Sequence, residues 1–175
     1  MFTAKDVTVG NGSKYQSAGI SEKVKITEII LNESDSPNID MKTINENEQV
    51  GQSKRLFLNT EVKPGKQTSA FKVSAKYLIN VLMSTGKTLE EAQNVLEAKT
   101  LPELIKNLNT NLIGKEFRGL FSQKEYQPGK FYTELYATEK VGGTKLAWDT
   151  TNPYYVSRLP KAESAVAGTG DDLPF

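Results

Sequence analysis

Apolar positions alternate with polar ones toward both ends of this chain and recur every third or fourth residue in its middle, a pattern of strands flanking a helical centre. Residues 20–31 (ISEKVKITEIIL) form the first strong strand, with Val24 and Ile26 alternating with Lys23, Lys25 and Thr27. The run Ile29-Ile30-Leu31 breaks the alternation, and a bulge or sharp coil there would let one long strand serve two halves of a closed barrel. Before it, residues 1–19 are rich in Gly, Ser, Asn and Thr and predict an extended arm with one short strand at 6–9. After it, Pro37 marks a turn, and 39–44 predicts a second strand with Ile39, Met41 and Ile44 as its apolar positions. Residues 45–52 are polar and acidic and read as a loop. A third strand follows at 53–60, with Leu56 and Leu58 on one face and Arg55 and Phe57 on the other. Pro64-Gly65 is a turn signal.

The period then becomes helical. Ser74 is placed to cap a helix carrying Tyr77, Leu78, Val81 and Leu82 on one face, stopped near Gly86. Thr88 with Glu91, and Thr100 with Glu103, are capping-box pairs, and Pro102 sits near a helix start, where proline is tolerated. Leu89, Ala92, Val95 and Leu96, then Leu101, Leu104, Ile105 and Leu108, continue the apolar stripe. The helical insert therefore spans about 74–109.

Strands resume at 112–123, where Gly114 and Gly119 mark a bulge, a corner or a close approach. A loop at 124–130 closes on Pro128-Gly129. The strand at 131–141 alternates Phe131, Thr133, Leu135 and Ala137 with Tyr132, Glu134, Tyr136 and Thr138. Residues 148–156 form a last short strand or a packed loop. Three strands, helices and two strands are the order of an OB-fold, a five-stranded Greek-key barrel with helices between strands 3 and 4. The chain divides into a body at 1–156 and a flexible tail at 157–175 with no periodic core pattern.

Composition narrows the chemistry. There is no cysteine and no histidine, which excludes disulfides, the usual zinc sites, Cys nucleophiles and His-based acid–base catalysis. Charge is balanced, 22 basic against 21 acidic residues. The tail holds Arg158 and Lys161 against Glu163, Asp171 and Asp172, so it carries −1 and the body +2 of the net +1. A balanced total still allows a local basic groove. No signal peptide and no apolar run of the roughly 20 residues a membrane span needs is expected, and a cytoplasmic location follows as the expectation.

The OB-like order, ending in Asp171, Asp172, Leu173, Pro174 and Phe175, resembles the single-stranded DNA-binding proteins of bacteria and their phages. In bacterial members an acidic tail with a closing Pro-Phe docks onto replication, recombination and repair proteins. The body differs from the common bacterial protein in its larger helical insert, and Leu112-Ile-Gly-Lys115 running into Phe117 looks more like the phage type. The resemblance implies a non-enzymatic binder of single-stranded DNA, without strong sequence preference, acting in the host cytoplasm if phage-encoded. Its tail would recruit replication or recombination proteins, and self-association is left open.

Single-strand binding needs cations along the phosphates and exposed rings on which bases stack. The candidate cations are Lys54, Arg55, Lys72, Lys115, Arg118, Lys124 and Lys130, and the candidate rings are Phe57, Phe121, Tyr126, Tyr132 and Tyr136. Against each ring stands the plain alternative of a core position, and against each lysine that of ordinary solvation. Glu134 between Tyr132 and Tyr136 argues that this strand face is not the dry core. Catalytic signals are weak. Gly86-Lys87-Thr88 resembles the end of a phosphate loop, but Val81 stands where the first glycine is required. Gly10-Asn-Gly12 lacks the third glycine of a dinucleotide fingerprint. Acidic pairs such as Glu90-Glu91 lack a clustered third ligand, so no metal, cofactor or catalytic residue is assigned. The alternative function is an OB-like protein–protein interaction module whose nucleic-acid contact is incidental.

Overall fold

The structure is a computed structural model and describes residues 14–148 and 150–158. The elements run β1 (Gly19–Asn32), β2 (Asn38–Asn45), β3 (Val50–Gln52), β4 (Leu56–Phe57), α1 (Ala70–Ser84), α2 (Leu89–Leu96), α3 (Leu101–Leu112), β5 (Glu116–Gln127), β6 (Lys130–Glu139) and α4 (Pro153–Val156). The strands form one antiparallel six-stranded sheet of order β3-β2-β1-β5-β6, with β4 paired on β2 beyond β3. The ends of this path meet: a parallel bridge joins Ser53, just after β3, to Leu135 of β6.

The expected irregularity in β1 falls earlier than the apolar run. The β1–β2 register shifts between Ile26 and Glu28, which makes Thr27 the extra residue. Its effect on side-chain phase explains the sequence. Val24 and Ile26 are buried before the bulge and Ile29 after it, while Leu31 packs against the core and Ile30 turns outward. A one-residue slip moves a strand's whole apolar set to the other face, and the bulge absorbs that slip. In β2 the inward set is Ile39, Met41 and Thr43 rather than Ile44.

The third strand differs most from expectation. Part of the expected 45–52 loop is β3, and the expected 53–60 strand retains only β4. Ser53 causes the break: its Oγ accepts from the Met41 N–H at 3.1 Å and donates to the Lys54 carbonyl at 2.8 Å. A side chain thus replaces a ladder partner, and Lys54 and Arg55 leave the sheet before Leu56 rejoins it. Leu56 and Leu58 face the core and Phe57 stays exposed, as the alternation implies.

Ser69, not Ser74, caps α1, accepting from the Lys72 N–H. Ser74 is buried one turn inside, where its hydroxyl donates to the Phe57 carbonyl at 2.7 Å. The insert is therefore Ala70–Leu112 in helices rather than 74–109. Thr88 and Glu91 form the full reciprocal box. Thr100 accepts from the Glu103 N–H, but the Glu103 carboxylate reaches back to the Lys99 N–H. Helix α1 packs on β4 and β6, α3 packs on β1, and α2 bridges the two helices. Tyr77, Leu78, Val81, Leu82, Leu104, Leu108 and Leu112 join Phe117, Phe121 and Leu135 in a single core.

Strand β5 begins after a corner at Gly114, which has φ +74° and its N–H on the Ile26 carbonyl. Gly119 is a close approach: a Cβ there would lie 2.9 Å from Leu135 Cδ1. The expected 124–130 loop is instead a continuation of β5 to a tight turn at Pro128-Gly129, so β5 and β6 form one long hairpin. Among the described residues of 148–156, Pro153–Val156 form α4 and none belongs to a strand. The expected strand at 6–9 lies outside the described residues.

Candidate nucleic-acid interface

The two ends of the sheet path enclose an open cleft of about 640 Å³. One wall comes from β2 and the broken third strand, through Asp40, Lys42, Lys54, Arg55 and Phe57, and the other from the β5–β6 hairpin, through Lys124, Tyr132, Glu134 and Tyr136. Each group is there for a local reason. The Ser53 break brings Lys54 to the cleft, with its Nζ 4.8 Å from the Tyr77 ring centroid. Tyr77 is buried beneath and donates from its hydroxyl to the Leu135 carbonyl at 2.7 Å. Burial raises the Tyr77 hydroxyl far above its usual range, so it stays a donor. Partial burial lowers the Lys54 ammonium, against an opposing pull from Glu134.

Arg55 is held by Asp40, with Nη2 to Oδ2 at 3.1 Å and Nε to Oδ1 at 3.3 Å, and these hydrogen bonds raise the guanidinium further. Its side chain remains over half exposed, so the pair orients the guanidinium in the cleft without covering it. Phe57 is 42% exposed. Tyr132 stacks obliquely on Tyr126, centroids 5.9 Å apart, and Lys124 lies 6.0 Å from the Tyr132 ring. The β5–β6 register slips between Leu120 and Phe121, making Tyr136 the extra residue of a bulge, backed by Trp148 at 5.9 Å. The cleft thus carries five cationic side chains (Lys42, Lys54, Arg55, Lys124, Arg158) against two carboxylates (Asp40, Glu134), an excess of three positive charges.

Six of the twelve residues anticipated from sequence line this cleft: Lys54, Arg55, Phe57, Lys124, Tyr132 and Tyr136. Tyr126 supports it through Tyr132 and lies on a strand, not in a loop. The others separate. Phe121 is fully buried in the core, because the bulge opposite it sets its ring inward. Arg118 is committed to two carboxylates, Glu22 through Nε at 2.7 Å and Glu139 through Nη1, with its side chain 13% exposed. Lys72 is exposed on α1, Lys115 is exposed at the α3–β5 corner, and Lys130 stands at the hairpin tip; none of them lines the cleft. The candidate partner-binding residues Asp171, Asp172, Leu173, Pro174 and Phe175 lie outside the described residues.

Several lining residues were not among the anticipated ones, Lys42, Ile30, Glu134 and Arg158 among them. Lys42 was legible as the outward partner of Met41 on β2. Ile30 required the Thr27 bulge. Glu134 is 6% exposed, with Oε1 accepting from Arg158 Nη1 at 3.2 Å. Arg158, read as tail, is tied to the body by that bond and by its carbonyl, which accepts from the Gln123 N–H at 3.2 Å. Among the described residues no acidic cluster of three or more could hold a metal ion, and no helix is long and apolar enough to cross a membrane. Compared with known protein families and with curated proteins, the chain matches none.

Proposed function

We propose that this protein binds single-stranded DNA in the cleft between the broken third strand and the β5–β6 hairpin, without strong sequence preference and without catalysis. One observation carries the reading. Rings line both walls, exposed Phe57 on one and half-buried Tyr132 and Tyr136 on the other, among cations in excess, and bases need the first while phosphates need the second. The arrangement also suits an OB-like barrel, whose third strand and 4–5 hairpin bound the oligonucleotide groove. The strand order and the parallel Ser53–Leu135 bridge between its ends support that assignment, with β3 and β4 as two pieces of one barrel strand. On this reading the protein protects single strands in the cytoplasm during replication, recombination or repair. The sequence of residues 171–175, acidic then apolar, suits recruitment of partners with a basic, partly apolar groove.

The test is a titration of oligo-dT and of a matched duplex, followed by quenching of tyrosine and tryptophan fluorescence. The expected result is binding of the single strand at low salt, weaker at high salt, with the duplex bound far less tightly. No binding of oligo-dT at low salt would leave the cleft to a protein ligand.

A further inference from the structure

Glu134 is the group in the cleft that phosphate binding does not explain. A carboxylate repels a polyanion, yet this one sits on the floor of the cleft, more than nine-tenths buried. Among the described residues Arg158 holds its Oε1, with Nη1 donating at 3.2 Å, and no hydrogen bond is formed to its Oε2. An ionised carboxylate is an acceptor only, so Glu134 keeps acceptor capacity for a donor that enters the cleft. The groups near it include Lys54, Arg158 and Tyr77, and Tyr132 and Tyr136 line the same cleft.

Geometry decides which part of the strand meets it. Tyr132 and Glu134 are two residues apart on β6, so both project to one face about 7 Å apart along the strand. A base stacked on Tyr132 would extend its edge along that face, with the phosphates drawn toward the cations Lys42, Arg55 and Lys124 that line the cleft. An acceptor-only group meeting a base edge selects for donors there. Resting on the single-strand reading above, we infer that Glu134 reads the base edge, favouring bases with an exocyclic amino group over thymine or uracil. The preference is a bias at one stacking position, laid over a platform that otherwise tolerates every base.

Cytosine and uracil test this sharply, because at ring position 4 one presents an amino donor and the other a carbonyl acceptor. Labelled dC and dU oligonucleotides of equal length are titrated at neutral pH and low salt by fluorescence anisotropy. The dC strand is expected to bind about fivefold more tightly, as the net worth of one hydrogen bond allows. Glu134→Gln keeps an acceptor for Arg158 and adds a donor, so its dC-to-dU ratio should fall to about one. Because the ratio is taken within each protein, a loss of stability in the variant does not mimic the result. Equal binding of dC and dU by the unsubstituted protein, or a preference that survives Glu134→Gln, overturns the inference while leaving single-strand binding intact. A ribose preference (rC over dC) removed by Glu134→Gln would also overturn it, by assigning the carboxylate to the 2′-hydroxyl. Failure of every oligonucleotide to bind would overturn the cleft reading itself.

Discussion

Replacing Lys124 with Gln should flatten the salt dependence of DNA binding by a calculable amount. Lys124 is exposed on the hairpin wall beside the Tyr132 ring, where a base stacked on that ring would bring its phosphate within reach. The cleft offers an excess of three positive charges, since Asp40 and Glu134 offset two of its five cations. For single strands log K falls with log salt with a slope of about −0.7 per neutralised phosphate. Three such contacts give a slope of roughly −2, or about an 18-fold loss of affinity from 50 to 200 mM salt. Lys124→Gln should reduce the slope to about −1.4 and the loss to about sevenfold. The assay is oligo-dT titration at four salt concentrations, with Lys72→Gln as comparison. Lys72 was an equal candidate by sequence, but it lies on α1 outside the cleft, so its substitution should leave the slope unchanged. A wild-type slope near zero, or a larger change from Lys72→Gln than from Lys124→Gln, would refute the placement of the phosphates.

Other expectations separate binding from stability. Phe57→Ala and Tyr132→Ala should each weaken oligo-dT binding by ~1–3 kcal/mol, read as Kd, with little change in Tm. Phe121→Ala should instead lower unfolding free energy by ~3–5 kcal/mol in urea titration, because that ring is core. Lys54→Met should leave the free protein as stable or more so, since it removes a partly desolvated ammonium, while weakening DNA binding. Acid should unfold the protein through three carboxylates held below their ordinary value of 4.5. Glu22 is lowered by its hydrogen bond from Arg118 and Glu91 by the Thr88 backbone, while in Glu139 burial pushes up but bonds from Arg118, Lys145 and Leu146 outweigh it. A lowered folded value means stabilisation that is complete above about pH 4.5 and lost as pH falls through the folded values. Urea midpoints should therefore be flat near neutrality and fall below that pH, and Arg118→Met should shallow the fall.

Which parts of this were legible in the sequence follows from the range of the interactions involved. Local periodicity placed the helices and β1, since Val24, Ile26, Leu78 and Val81 carry their faces in their spacing. The Thr88 box needed only four residues to be seen. The bulges at Thr27 and Tyr136 were hidden, because a bulge is set by the partner strand's register. Those bulges decide that Ile30 lines the cleft and that Phe121 does not. Arg118 looked available because its carboxylate Glu22 lies 96 residues away in sequence. The Ser53 break was equally invisible, since a serine replacing a ladder acceptor has no periodic signature. Yet that break is what brings Lys54 and Arg55 to the cleft, a placement the sequence pattern does not contain.

The most direct test is where a bound strand touches. Photocrosslinking an oligonucleotide of 5-bromodeoxyuridine to the protein, then mapping the attached peptides, reports the rings in contact with bases. Crosslinks at Phe57, Tyr132 and Tyr136 are predicted, each displaced by excess unlabelled oligo-dT. Crosslinks confined to Tyr15, Phe71 or helices α1–α3, or crosslinks that excess oligo-dT does not displace, would contradict the assignment of the cleft as the DNA site.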